Sequence, residues 1–481
     1  MNQRISFFFR ALVIVMVVVL ASTVVVAASP LHSATTKALS TNYTVVNLGD
    51  QDASVTASYV KPDGSPWAAD AANTSFTVAK NYGQKAIAQY FDTTMSSGSG
   101  SVVLSSSQPL GVVVQIQARN QTPTTGAYSG IAAPNNKYYV PQIQRNVRGA
   151  SGLTNFQISI QNAESSGATA VTVQFIPYPG SGNPPYTKSD ISIQPGATYL
   201  YDLANESASN LPDGWYGSAV VTAETGKNIA VVVNGFSGAN SLQTYNAFTE
   251  DSVSSSWAVP QFTSRLANKL SMPVVVQNLS GGTLPVGAIT MNCKSTLSTP
   301  ATFTAANTTA VDNNASYVFN PVVDTSLPDN WTGACIVNLA NGAKGVVFVQ
   351  MRRPGLNDEM AAYEAFSMNS TNTRVVVPLV SKHQPNGFGT VVTIQNLDTS
   401  NIANVRLTYN PSEAYIASGG SATPLVFDYD IAAGGNISEN QRFSTFIPSM
   451  PDGWYGTLLV EPKPGTTARP IAAFVQLTNW Q

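Results

Sequence analysis

Histidine is almost missing from this chain, and charge is scarce. Two histidines occur in 481 residues, and charged side chains make up 10% of the total. His32 and His383 have no recurrent counterpart and no evident partner set, which argues against a Ser-His-Asp triad and a His-rich zinc site. The 24 basic and 26 acidic residues leave no clustered Lys and Arg, so neither nucleic acid nor an anionic membrane surface is an expected partner. There is no phosphate loop ending in Lys-Ser/Thr, no His-Glu-x-x-His and no Cys-x-x-Cys. After Ala28 almost no 3.6-residue periodicity remains, so helices are not the building material. With 43% hydrophobic residues a core is easily filled, and the solvated faces must be built mainly from Ser, Thr, Asn and Gln.

Cysteine is equally sparse. Cys293 and Cys335 are the only two, and an oxidising compartment would let them pair. The alternative is two free thiols packed as small hydrophobes. Ten Asn-x-Ser/Thr sequons, among them Asn42, Asn205, Asn307 and Asn436, carry weight only in a eukaryotic secretory route.

What is present begins with Arg4 and Arg10, then an unbroken apolar run from Ala11 to Ala28, with small residues at Ala27, Ala28 and Ser29. This reads as a secretory signal helix over residues 1–28, cleaved after Ala28. An uncleaved anchor is the competing reading, and only that form would bring the protein to a membrane.

The remainder is a tandem array. Leu211-Pro212-Asp213-Gly214-Trp215-Tyr216-Gly217-Ser218-Ala219 returns as Leu327-Pro328-Asp329-Asn330-Trp331-Thr332-Gly333-Ala334-Cys335, and as Met450-Pro451-Asp452-Gly453-Trp454-Tyr455-Gly456-Thr457-Leu458. The tryptophans are 116 and 123 residues apart, a period that suits one small domain. In each copy Pro presets the backbone, the Asp closes the turn onto its own backbone, and Trp plugs a corner of the core. Pro212, Asp213, Trp215, Pro328, Asp329, Trp331, Pro451, Asp452 and Trp454 are therefore structural corner residues.

Three further landmarks recur. A proline opens each copy, at Pro30, Pro141, Pro260 and Pro378; an apolar strand ends in Asn47, Asn162, Asn278 and Asn396; and an alternating strand follows, as in Val171-Thr172-Val173-Gln174-Phe175. In that strand Cys293 holds the inward place of an aromatic. About seven short strands per copy predict an all-β chain of four tandem antiparallel immunoglobulin-like β-sandwiches. The expected bounds are 29–121, 138–238, 257–353 and 375–481. Repeat one lacks the Trp corner and reads as an end cap. Between copies, Tyr128, Tyr245-Asn246-Ala247-Phe248 and Tyr363-Glu364-Ala365-Phe366 predict junctions packed on a domain, hence a semi-rigid rod.

The opening Val-Pro-Leu-Val, the Gln-Asn strand end, the corner motif and the Tyr-x-Ala-Phe junction together resemble a tandem β-sandwich repeat of secreted and surface proteins in certain filamentous bacteria. The resemblance covers almost all of the chain after the leader, most clearly from Val140 onward. It implies a secreted or cell-surface protein without established enzyme activity, and it supplies no catalytic residues.

The resulting expectation is a non-enzymatic structural or adhesive protein without cofactor. Its partners would be other surface proteins, copies of itself, or cell-wall or extracellular polysaccharide. The alternative is a carbohydrate-binding protein in which Trp67, Trp257 or the corner aromatics stack on sugar. Asp213, Asp329 and Asp452 recur, but a turn role outweighs that of paired glycosidase carboxylates. Asp50-Gln51-Asp52 and Asp312-Asn313-Asn314 offer oxygen ligands for calcium, at unmatched positions and without EF-hand spacing.

Overall fold

Alternating apolar residues cut by Gly, Pro and Asn turns give short strands with one buried face. Thr169–Pro177, for instance, has Thr169, Val171, Val173 and Phe175 buried and the residues between them exposed. The structure, a computed structural model, describes residues 22–27, 39–118, 125–149, 152–238, 241–295, 297–354, 359–385, 387–441 and 450–479. Its strands form antiparallel sheets throughout, and its two α-helices, Ala71–Thr74 and Glu413–Ala417, are single turns. The chain is thus all-β.

The sheets come in pairs along the sequence, giving four units. In the second unit one sheet runs, edge to edge, Tyr186–Ile193, Thr169–Pro177, Trp215–Ala223, Lys137–Arg145 and Phe248–Thr249. The facing sheet contains Thr198–Asp202, Gly152–Asn162, Ile229–Ser237 and Ser241–Asn246. We call Lys137–Arg145 the opening strand, Trp215–Ala223 the corner strand, Ile229–Ser237 the closing strand and Ser241–Asn246 the axial strand. The same order recurs in the third unit, with opening strand Ser256–Ser264, corner strand Trp331–Leu339, closing strand Gly345–Arg353 and axial strand Glu359–Glu364. In the fourth unit these are Val375–Ser381, Tyr455–Pro462 and Ile471–Asn479, with no axial strand among the described residues. The third and sixth strands of each unit are neighbours, as in an immunoglobulin sandwich. The opening strand, however, pairs with the corner strand, and the closing strand pairs with the Asn-terminated strand. In an immunoglobulin domain these two terminal strands sit in each other's sheet.

The first unit departs from expectation at its start. Its opening strand is Ser22–Ala27, paired antiparallel with the corner strand Ser101–Ser106. These residues lie inside the segment read as a signal helix, and the described part of that segment is a strand. The physical cause is ambiguity: a short β-branched run suits a leader and a buried strand equally. Ala27 takes the place held by Pro141, Pro260 and Pro378 in the other units, so Pro30 is not the repeat's opening proline. Pro30 itself lies outside the described residues.

The junctions also belong to the units rather than between them. Thr125–Ser129, Ser241–Asn246 and Glu359–Glu364 are axial strands, each paired with the closing strand of the preceding sheet. Phe248–Thr249 and Phe366–Ser367 then cross to the opening strands. Tyr128, Tyr245, Ala247, Phe248, Tyr363 and Ala365 are buried.

The rod does not form. Each unit's opening and corner strands lie against the second sheet of the next unit, and the fourth unit does the same to the first. Ser101 Oγ donates to the Gly196 carbonyl, Ser218 Oγ to Asn314 at 2.6 Å, and Thr457 Oγ1 to Tyr82 at 3.4 Å. The opening proline carbonyls are matched as well. Pro141 accepts from Ser316, Pro260 from Asn436 and Pro378 from Gln84, at 2.7, 2.6 and 2.6 Å. Arg374 further donates to the Tyr82 hydroxyl at 2.8 Å. The four units therefore close into a ring. The cores of the second and third units are not separate, because one apolar cluster runs from Tyr138 through Phe348 across both.

Candidate interaction site

The three recurring corners are built alike. Gly214, Asn330 and Gly453 adopt positive φ of 82°, 50° and 79°, the left-handed conformation that Gly and Asn tolerate. Trp215, Trp331 and Trp454 are buried at 1%, 0% and 2% exposure, which withdraws them from any sugar surface. Trp215 and Trp454 meet Phe175 and Tyr409 edge-on, with centroids 6.0 Å apart. Two residues on, Gly217, Gly333 and Gly456 pass the neighbouring strand so closely that a Cβ would fall on the carbonyls of Ile176, Lys294 and Asn410. That close passage sets the following Ser218 or Thr457 against the next unit.

The corner aspartates do not bond their own turn. Asp213 accepts from Arg145 and Asn146, Asp329 from Arg265, and Asp452 faces His383 Nδ1 at 3.3 Å. Asn146, Arg265 and His383 each have positive φ at the end of the opening strand, so the aspartate fastens the corner to the place where the chain turns back. The hydrogen bond from Asn146 and the Arg145 guanidinium hold the Asp213 carboxyl below its ordinary value. His383, read in sequence as lacking a partner, is thus part of a corner. No sequence spacing links these residues, because they are about 70 positions apart and differ in type.

Trp67 fills the first unit's missing corner from elsewhere. Its ring lies over Gly100, the counterpart of Gly217, and its Nε1 donates to Ser96 Oγ at 3.0 Å. Trp257 is buried and donates to the Ser254 and Gly345 carbonyls. Cys293 and Cys335 sit opposite each other across two paired strands and are joined as a disulfide, with α-carbons 4.0 Å apart. Phe303, facing Cys293 in the next strand, packs on Trp331 at 4.8 Å and supplies the aromatic that Cys293 displaces. In the two candidate calcium loops Asp52 accepts from Lys80 N, Asp312 from Thr283 and Asn313 from Gly281 N. Among the described residues no group of three or more His, Cys, Asp or Glu side chains converges.

A different feature gathers residues from all four units. The axial strands and Ile471–Asn479 surround one cleft, lined among others by Gly126, Leu242, Met351, Ala361, Phe474 and Leu477. It widens to about 340 Å³ beside Gln261, Arg352 and Asn440. The closing strands carry an amide at one equivalent place, Gln115, Asn234, Gln350 and Gln476. Gln350 donates to Gln243, and Thr244 to Asn234, both bonds buried. Next to them the half-buried Glu364 accepts from Asn246 N–H, and burial raises its carboxyl above the ordinary range. Sequence reading missed this cleft because its parts lie in four copies. The matched Gln and Asn of the closing strands were the available signal. Compared with known proteins, the chain matches no family model and no curated sequence.

Proposed function

We propose that this is a non-enzymatic secreted or cell-surface protein with a structural or adhesive role, whose four immunoglobulin-like sandwich units form a ring that presents interaction surfaces. The observation that carries this reading is how the recurring residues are used. Every corner Trp is buried, every corner Asp is tied to the opening strand, and the Ser and Thr that follow are bonded between units. The repeat is spent on the scaffold, which leaves recognition to surfaces rich in uncharged polar groups. The disulfide suits an oxidising exterior. The resemblance to surface repeats of filamentous bacteria points the same way, toward partners that are surface proteins, copies of this chain or extracellular polysaccharide.

A carbohydrate-binding reading draws on a different feature, the Tyr178 and Tyr216 rings stacked at 4.8 Å beside the second corner, with Tyr216 37% exposed. Antibody labelling and surface proteolysis of intact cells test the location. A protein that is neither labelled nor clipped until cells are broken would sink it. Pull-down on cell-wall glycan, with and without Tyr216→Ala, separates the two readings. Glycan retention lost on that substitution would favour the second.

A further inference from the structure

Among the described residues the closing strand of the fourth unit has an open outer edge, where in the other three units that edge is covered. In the first three units the closing strand pairs on its outer side with an axial strand. Ile471–Asn479 pairs with Phe388–Asn396 alone among the described residues. Exposure differs from that in the second and third units. Val475, Gln476 and Leu477 are half-buried, whereas their counterparts Val233, Asn234 and Gly235, and Val349, Gln350 and Met351, are buried. Among the described residues the opening strand Val375–Ser381, like Ser22–Ala27 of the first unit, has no partner matching Phe248–Thr249 or Phe366–Ser367. An unpaired row of backbone N–H and C=O groups is a template for another strand.

The sister units show what such a strand must carry. Each axial strand places a tyrosine at one register position: Tyr128 opposite Val114, Tyr245 opposite Val233 and Tyr363 opposite Val349. The matching position on the open edge is Val475. Tyr245 and Tyr363 donate their hydroxyls to the Gln142 and Gln261 carbonyls, just after the opening proline, a place that Leu379 holds in the fourth unit. Their rings lie against Phe348 and Phe474 of the following unit at 4.2 Å. The corresponding residue of the first unit is Val113, which is half-buried. The residues after tyrosine also form a relay between units. Asn246 Nδ2 donates to the Ser129 carbonyl at 3.0 Å, and Asn246 N–H donates to the Glu364 carboxylate. The relay stops at Glu364, beside the open edge. Gln243, which lines the same cleft, has a buried amide nitrogen without an acceptor among the described residues.

We propose that this edge accepts an extended segment of a partner protein built on the pattern Tyr-x-Ala-Phe, running antiparallel to Ile471–Asn479. Its backbone extends the second sheet of the fourth unit, its tyrosine caps that unit's core, and its Phe crosses to Val375–Ser381. Main-chain ladder bonds supply affinity, and the tyrosine and phenylalanine seats supply selectivity. The inference gives the interaction reading above a partner chemistry. It stands or falls separately from the cellular location, because it is measured on purified protein.

The probe is a fluorescent peptide with the sequence of residues 359–367, titrated with the full chain. The expected result is saturable binding that weakens about tenfold or more when the peptide's tyrosine becomes alanine, since such a seat is worth over 1 kcal/mol. Methylation of alternate backbone nitrogens in the peptide should abolish binding. Hydrogen exchange with and without the peptide should show new protection over residues 474–478. Absence of saturable binding, equal binding by the alanine peptide, or protection confined to another unit would each overturn the proposal.

Discussion

Thr457 of the fourth unit donates its hydroxyl to the Tyr82 carbonyl of the first, the contact that Ser218 of the second unit makes with Asn314 of the third. A contact repeated between sequence neighbours would suit a rod or a ring. Its repetition between the first and last units selects the ring. Small-angle scattering of the full chain should therefore give a radius of gyration of about 25 Å, near the value for a compact chain of this length. A value about twice as large would indicate units strung end to end.

The corner glycine positions the hydroxyl that reaches across. A methyl group at Gly217 would strike the Ile176 carbonyl, and backbone cannot swing aside as a flexible side chain can. Gly217→Ala should cost about 3 kcal/mol in denaturant unfolding. Ser218→Ala should cost less, about 0.5–1 kcal/mol, since only one neutral hydrogen bond is lost. The Asn314 carbonyl keeps a second donor, Gln277 Nε2 at 2.9 Å. Equal losses in the two variants would show that the glycine has no steric role.

The Cys293–Cys335 bridge closes a separation of 42 residues and should contribute about 2–4 kcal/mol. Thiol titration of the unfolded, unreduced protein should find no reactive group, and reduction should lower the melting temperature. Because the second and third units share an apolar cluster, the loss should appear in the transition of both. Two titratable thiols in the unreduced chain would remove the bridge from the account.

Much of this architecture could be read from residue types. Strand alternation, the Asn strand ends, the opposed cysteines and the buried corner tryptophans all follow from hydrophobic period and turn chemistry. Ring closure could not be read. It depends on single hydroxyls meeting backbone carbonyls, as at Thr457 and Tyr82, and a carbonyl leaves no mark in a sequence. The partners of the corner aspartates were hidden for a related reason, since Asn146, Arg265 and His383 share a backbone conformation but not a side chain. The place of Trp67 was hidden because it reaches its corner from a different strand connection. The axial cleft was invisible because each copy gives it only a few residues, half of them in the junction segments.

Glu364 should make stability depend on pH. Burial pushes its carboxyl above the ordinary range, opposed by the hydrogen bond from Asn246 N–H. A folded-state pKa above the unfolded one means that folding disfavours the charged form. No penalty exists below the unfolded value. It grows as pH rises through the window between the two values and is complete above the folded one. Glu364→Gln keeps an acceptor for Asn246 without the charge. It should raise the melting temperature at pH 8 and leave it unchanged at about pH 3.5, where glutamate is protonated in both states. A benefit of the same size at both pH values would mean that charge is not the cause.

The strand Ser22–Ala27 is in a segment with two competing uses. As part of a leader it would be removed, whereas in the structure it is the opening strand of the first unit, in register with Ser101–Ser106 over six residue pairs. Opening strands elsewhere lie against the next unit, but one contact their carbonyls make there is not formed here among the described residues. Thr198 holds the place of Ser316, Asn436 and Gln84, which all donate to an opening-strand carbonyl, yet its own hydroxyl has no partner among the described residues. A protein beginning at Ser29 should thus unfold more easily than one beginning at Ser22. At a few tenths of a kcal/mol for each cross-strand pair, the difference is about 2 kcal/mol. Hydrogen exchange should locate the loss at residues 101–106, now an open edge. Equal stability and equal protection of the two forms would show that the first unit holds together without this strand, and that the segment is free to serve export alone.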